Sequence, residues 1–225
     1  MKQAPDAGLF SPRMGDNART ALMALAILDL FVIPPLLDAG VVSQIHASAV
    51  YALSLLAGVV AVGHRPSVRV LAAVLVLAAL VSHVLLLRAP GRDSAVADSA
   101  LAMIVAGTFG VLVLAYALGK GPVTYHRVVA AVVAFLLVGV AWARAFNILL
   151  LLRPGALSLP SGRIGYGEVV YYSFATLTTL GYGNPVDPLA RSMTMAEALT
   201  GLLYPPILIA RLVNLQAPAG SEPKG

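Results

Sequence analysis

Six apolar runs, at residues 21–37, 47–63, 70–87, 99–118, 128–152 and 192–210, take up most of this 225-residue chain. Each lies near the ~20 residues with which a helix crosses the hydrocarbon core of a bilayer. Their polar positions form no 3.6-residue stripe, so the helices are apolar on all sides, as lipid-embedded helices are. Composition agrees: 59% of the residues are hydrophobic and 11% charged, against about 45–50% and about 25% in soluble domains. The sequence predicts an all-α integral membrane protein with six transmembrane helices.

What is missing narrows the chemistry. The chain has no Cys, which removes a disulfide framework, a thiolate zinc site, an iron–sulfur cluster and a cysteine nucleophile. Its four His are scattered, which argues against a metal cage. The fifteen Lys and Arg form no basic cluster, so nucleic acid is not an expected partner. Neither a nucleophile–base pair nor paired carboxylates nor a phosphate-cradling glycine loop lies between the runs, and the expectation is a protein that is no enzyme and holds no cofactor.

The bases sort by side of the membrane. Lys2, Arg13, Arg19, Arg65, Arg69, Lys120, Arg127, Arg211 and Lys224 fall on one side, and Arg88, Arg92, Arg153, Arg163 and Arg191 on the other. Nine against five places both termini in the cytoplasm. Residues 1–20, without periodicity, read as a cytoplasmic tail, and residues 216–225 as another. Between them, 21–125 form a four-helix peripheral domain and 126–215 a pore domain.

Between the fifth and sixth runs the pattern changes. Pro154, Gly155, Pro160, Gly162, Gly165 and Gly167 give a loop, after which residues 168–178 read as a helix too short to span. Gly181, Gly183 and Pro185, at alternate positions, argue against continued helix. Irregular backbone at membrane depth survives only when buried in protein or lining a water-filled path, so the segment predicts a re-entrant pore helix and loop.

The loop reads Thr176-Leu177-Thr178-Thr179-Leu180-Gly181-Tyr182-Gly183, which resembles the selectivity filter of potassium channels of the pore-loop, voltage-gated-like superfamily, and of the bacterial six-helix type in particular. The likeness extends over about 127–215, including Pro188-Leu189-Ala190-Arg191-Ser192 and Leu208-Ile209-Ala210-Arg211-Leu212-Val213 of the sixth run. It implies a homotetramer in the plasma membrane that conducts potassium passively. The ion ligands would be the carbonyls of Thr179, Leu180, Gly181 and Tyr182 with the Thr179 hydroxyl; Gly183 would end the filter and Thr176 and Thr178 would support it from the pore helix. The Tyr182 ring would pack outward against the short helix. Asn184 departs from the family pattern, where an aspartate follows the filter. The other readings in view are a non-conducting subunit that keeps the pore fold and a potassium uptake subunit.

Other polar or kinking residues inside the runs each carry an expectation. The fourth run, 99–118, holds no Arg or Lys, so the first four helices are not expected to sense voltage. Gly201, Pro205 and Pro206 in the sixth run make either a gating hinge or a static bend. Arg144 either pairs with Asp29, contacts Asp98 or snorkels toward the interface, since a charge at that depth is costly. Glu197 either braces the filter from behind, adds negative potential near the pathway, or stands protonated in a structural hydrogen bond. His83 reads as a polar anchor, with no sensing role.

Overall fold

A computed structural model describes residues 12–61, 66–119, 123–159 and 165–216 of the chain. The helical backbone begins with α1 (Pro12–Ile27), passes through a π-helical turn (Leu28–Val32) and continues as α2 (Ile33–Asp38). α1 begins within residues 1–20, where Pro12 opens the helix, its fixed φ suiting a first helical position, while 1–11 lie outside the described residues. The π turn sits just before Pro34 and Pro35, with the Ile33 amide reaching back to the Leu28 carbonyl. A widened turn there gives the Pro34 ring room that a regular α-helix would deny it.

Five helices follow: α3 (Gln44–Ala61), α4 (Pro66–Arg88), α5 (Arg92–Ala117), α6 (Tyr125–Leu152) and, after a loop, the short α7 (Tyr166–Leu177). The last is α8 (Pro188–Gln216). Four helices are long and apolar enough to cross a membrane, namely α4, α5, α6 and the Pro188–Arg211 part of α8; Thr20–Val32 and Ile45–Ala61 are shorter apolar helices. α7 starts two residues before the expected 168, because Gly165 takes up the extended N-cap conformation and Tyr166 is already helical. Two short strands were not expected: β1 (Leu157–Ser158) and β2 (Asn184–Pro185) pair antiparallel.

The main core runs through α1, α3, α4, α5 and α6, with Phe109, Val113, Val133 and Ala134 at its centre. It crosses the 125/126 junction, since α5 and α6 pair along their length. A second cluster, Phe146, Leu149, Leu157 and Tyr172, sits under the loop before α7. A third joins Ala26 and Leu30 to Ala143 and Val170, seating α7 against the first helix and α6. α8 differs: Leu199, Leu202, Leu203, Ile207 and Val213 are all exposed. So many apolar side chains on one helix form a face that the protomer itself does not cover.

Candidate ion pathway

The segment after α7 is held at both ends and bare in the middle. At its start the Thr178 amide donates to the Phe174 carbonyl at 3.0 Å, Thr179 to Thr176 at 2.9 Å, and Leu180 and Gly181 both to Ala175 at 2.8 and 3.2 Å. The Thr178 hydroxyl adds a bond to the Phe174 carbonyl at 2.7 Å. These amides bend back onto the last turn of α7 and satisfy carbonyls that a helix end leaves orphaned. Among the described residues no hydrogen bond is donated to the carbonyls of Thr179, Leu180, Gly181 or Tyr182.

The backbone of that strip alternates. Thr179, Gly181 and Gly183 have φ of 62°, 69° and 119°, and Thr179 is the one non-glycine residue with positive φ in the described chain. Alternation of left- and right-handed residues turns successive peptide planes so that consecutive carbonyls can point to one side. Glycine reaches the left-handed region cheaply, whereas a β-branched threonine there stores about 1–3 kcal/mol. The strip lies on the protomer surface, with Leu180 77% exposed. The Tyr182 ring turns back to meet Tyr171 of α7 edge to face, centroids 4.8 Å apart, as the sequence suggested.

Behind the strip, α7 is bolted to α6 and α8. Tyr172 Oη lies 2.6 Å from Thr194 Oγ1, with Thr176 buried beside it. Ser173 Oγ lies 2.5 Å from Glu197 Oε1 and 3.1 Å from the Gly139 carbonyl. A hydroxyl has one proton and cannot donate to both. If Glu197 carries a proton on Oε1, it donates to Ser173 and Ser173 donates to Gly139, while Glu197 Oε2 stays buried without a hydrogen-bond partner. The fully buried Glu197 side chain ties α8 to α7 through this hydrogen bond. Gly201 comes so close to the Leu177 carbonyl that an added Cβ would overlap it. That gives the glycine a packing reason. Pro205 and Pro206 lie inside a continuous α8, and Tyr204 just before them donates to the Ala131 carbonyl of α6 at 2.7 Å.

The outer end is tied down by contacts that sequence reasoning missed. The β1–β2 pair sets Leu157 opposite Pro185 and Ser158 opposite Asn184, and the Val186 amide donates to the Ala156 carbonyl at 2.9 Å. Arg153 Nη1 pairs with Asp187 Oδ2 at 3.1 Å, while Asp187 Oδ1 accepts the Leu189 amide at 2.7 Å as a cap on α8. The Arg191 side chain donates to the Pro185 carbonyl at 3.1 Å. Bonding to the Leu189 amide, then the Arg153 side chain, holds the Asp187 carboxyl below the usual carboxylate range. A two-residue strand has no periodicity to read, and the partners Arg153 and Asp187 are 34 residues apart. Ser173 was more accessible to inference, because a Glu in an apolar span demands a polar partner on a facing helix.

Residues 133–216 match the family model described as ion channel. Neither the curated proteins nor the solved structures gave a match. The match covers α6 from Val133 onward, α7, the strip and α8. Together with the apolar helices it supports a multi-pass membrane protein with a passive ion-channel domain of the pore-loop superfamily.

Proposed function

We propose that the chain is a potassium-selective channel in which four copies bring their 179–183 strips around one axis. The observation that carries this reading is the alternation of positive φ at Thr179, Gly181 and Gly183 in a strip whose carbonyls accept no hydrogen bond among the described residues. A potassium ion leaving water needs its hydration shell replaced by oxygens, and rings of backbone carbonyls do this. The carbonyls of Thr179, Leu180, Gly181 and Tyr182 are the ligands in this account, with the Thr179 hydroxyl at the inner end and Gly183 closing the outer mouth. The C-terminal end of α7 directs its negative partial charge toward the ion entering from the cavity. One strip per chain cannot enclose an ion, and closed fourfold symmetry of identical subunits is the economical solution. The apolar face of α8 supports such assembly.

In this reading Thr20–Val32 and Ile45–Ala61 cross the membrane with the four longer helices, giving six spans, α7 is the re-entrant pore helix, and both termini face the cytoplasm. The peripheral part, 21–125, does not sense voltage, and the pore part, 126–215, conducts in the plasma membrane. Gly201, Pro205 and Pro206 bend the inner helix at the gate. The test is flux from liposomes holding the purified chain under a potassium or a sodium gradient, with and without barium. Potassium flux that barium blocks, with little sodium flux, is expected. Equal flux of both ions would refute selectivity, and no flux in a folded tetramer would favour a non-conducting subunit.

A further inference from the structure

A buried polar cluster stands apart from the strip and its supports. Six side chains from six elements meet there: Asp29 from the π turn, Tyr51 from α3, His83 from α4, Asp98 from α5, Arg144 from α6 and Tyr166, the first residue of α7. Arg144 settles on Asp98, Nη1 to Oδ2 at 3.5 Å. Its guanidinium carbon also lies 4.1 Å from the centre of the Tyr166 ring and 5.8 Å from that of Tyr51. Asp98, only 3% exposed, turns its other oxygen to His83, Oδ1 to Nδ1 at 3.3 Å. His83 Nε2 lies 3.1 Å from Ser48 Oγ, and the ring packs against Tyr51 with centroids 5.0 Å apart. Asp29 interacts with both Arg144 and His83. Beside them is a cavity of about 60 Å³ lined by Asp29, Tyr51, Arg144 and Tyr166 among apolar side chains, large enough for water.

Neither the charges nor the hydrogen bonds of this cluster close. The guanidinium is always charged, so with both carboxylates ionised and the imidazole neutral the cluster carries one net negative charge in an apolar setting that penalises it. Asp98 Oδ1, His83 Nδ1, Arg144 Nε and Tyr51 Oη are buried without a hydrogen-bond partner. One proton mends the charge and, of the four orphaned atoms, serves His83 Nδ1 and Asp98 Oδ1, leaving Arg144 Nε and Tyr51 Oη as they are. On His83 it makes both ring nitrogens donors, one facing Asp98 and one facing Ser48, and it brings the sum of charges to zero.

We propose that this cluster is a binding site for a proton, held on His83 opposite Asp98 and supplied from the extracellular side, and that its occupancy adjusts the pore helix through Arg144. The link to conduction and the side of supply rest on the reading given above; the proton site itself does not. Asp98 is shared, so a charged His83 draws it from Arg144, and Arg144 falls back on Asp29 and the Tyr166 ring. Tyr166 begins the helix whose other end carries the filter strip, so a change at one end of α7 is felt at the other. With the termini inside, the outer ends of α4 and α5 meet at residues 89–91, and His83 and Asp98 lie a few residues from that end.

The test uses the full chain labelled with ¹⁵N-histidine in lipid nanodiscs, the His83 signal being assigned by its loss in His83→Gln. Between about pH 8 and about pH 5, where histidines titrate, the His83 nitrogens should pass from the neutral to the imidazolium pattern. In Asp98→Asn they should stay neutral over most of that range. In planar bilayers, acidifying the extracellular chamber should change potassium current by about fivefold, and the response should vanish in His83→Gln. A His83 ring that stays neutral to about pH 5, or titrates identically in Asp98→Asn, overturns the proton site. If His83 titrates as expected and potassium current is pH-independent, or the response survives in His83→Gln or comes only from the cytoplasmic chamber, the coupling is overturned and the site stands. If His83 titrates but no potassium current flows at any pH, the channel reading fails instead.

Discussion

At the scale of single residues, the strip turns on torsions that side chains resist. At Gly181, with φ of 69°, an added Cβ meets nothing within 4 Å of its own protomer. The cost of Gly181→Ala is therefore conformational, about 1–2 kcal/mol per subunit for an L-residue in that region. It is expected to leave a folded, assembled protein whose potassium selectivity is lost, read by paired flux and size-exclusion measurements. A variant that fails to assemble would place the role of Gly181 in folding. Glu197 makes a different kind of prediction. Glu197→Gln can still donate to Ser173 and should conduct as the native chain does, whereas Ser173→Ala leaves a buried carboxyl unpaired and should cost about 1–3 kcal/mol in thermal unfolding. Equal stability of the Ser173→Ala and native proteins would show that Glu197 finds another partner. The glycines and Tyr182 were legible from the sequence, since alternate glycines beside Pro185 admit few backbones. The choice between bracing and structural roles for Glu197 was not, because its partner lies on another helix.

At the scale of elements, α8 carries two prolines within its length and is capped at its first turn. Pro205 and Pro206 lack the amides that would bond one turn back, to the carbonyls of Gly201 and Leu202. Pro205→Ala with Pro206→Ala should leave assembly intact and shift open probability in single-channel records; unchanged gating would make the bend static. At the other end, Asp187 caps α8 and pairs with Arg153. Because its carboxyl is held below the usual carboxylate range, its contribution is complete above about pH 4 and is lost as pH falls through the lowered value. Thermal unfolding of the native protein should therefore be insensitive to this group from about pH 5 to 8, and Asp187→Ala should lower the midpoint there, more than Asp187→Asn, which retains a cap. A midpoint unmoved by Asp187→Ala would show that the β1–β2 pair alone holds the mouth. The four long helices and α7 followed from hydropathy and length. The π turn and the two-residue strands did not, because the first depends on prolines acting on the preceding turn and the second on a contact between residues 157 and 185.

At the scale of the whole molecule, the exposed strip and the uncovered face of α8 fit an assembly around an axis. In the described part of α5 the sole basic residue is Arg92, at its first position, so no ladder of charge is available to move through the field. Potassium currents should accordingly show no steep voltage dependence, and a gating charge of several units per channel would contradict that. Composition and hydropathy made membrane residence readable, and the alternate glycines made the irregular strip after α7 readable. How α1 to α5 dock on α6 to α8 was not, since apolar helices carry few marks of their partners; the sequence offered Asp29, Asp98 or snorkelling for Arg144, and the fold gathers both carboxylates around it. The central claim, that backbone carbonyls of residues 179–182 select potassium, is tested most directly by the reversal potential of the native tetramer in a planar bilayer, with potassium on one side and sodium on the other. The account predicts a reversal potential displaced far toward the potassium equilibrium value, and one that collapses toward zero in Gly181→Ala. A native reversal potential near zero would contradict it.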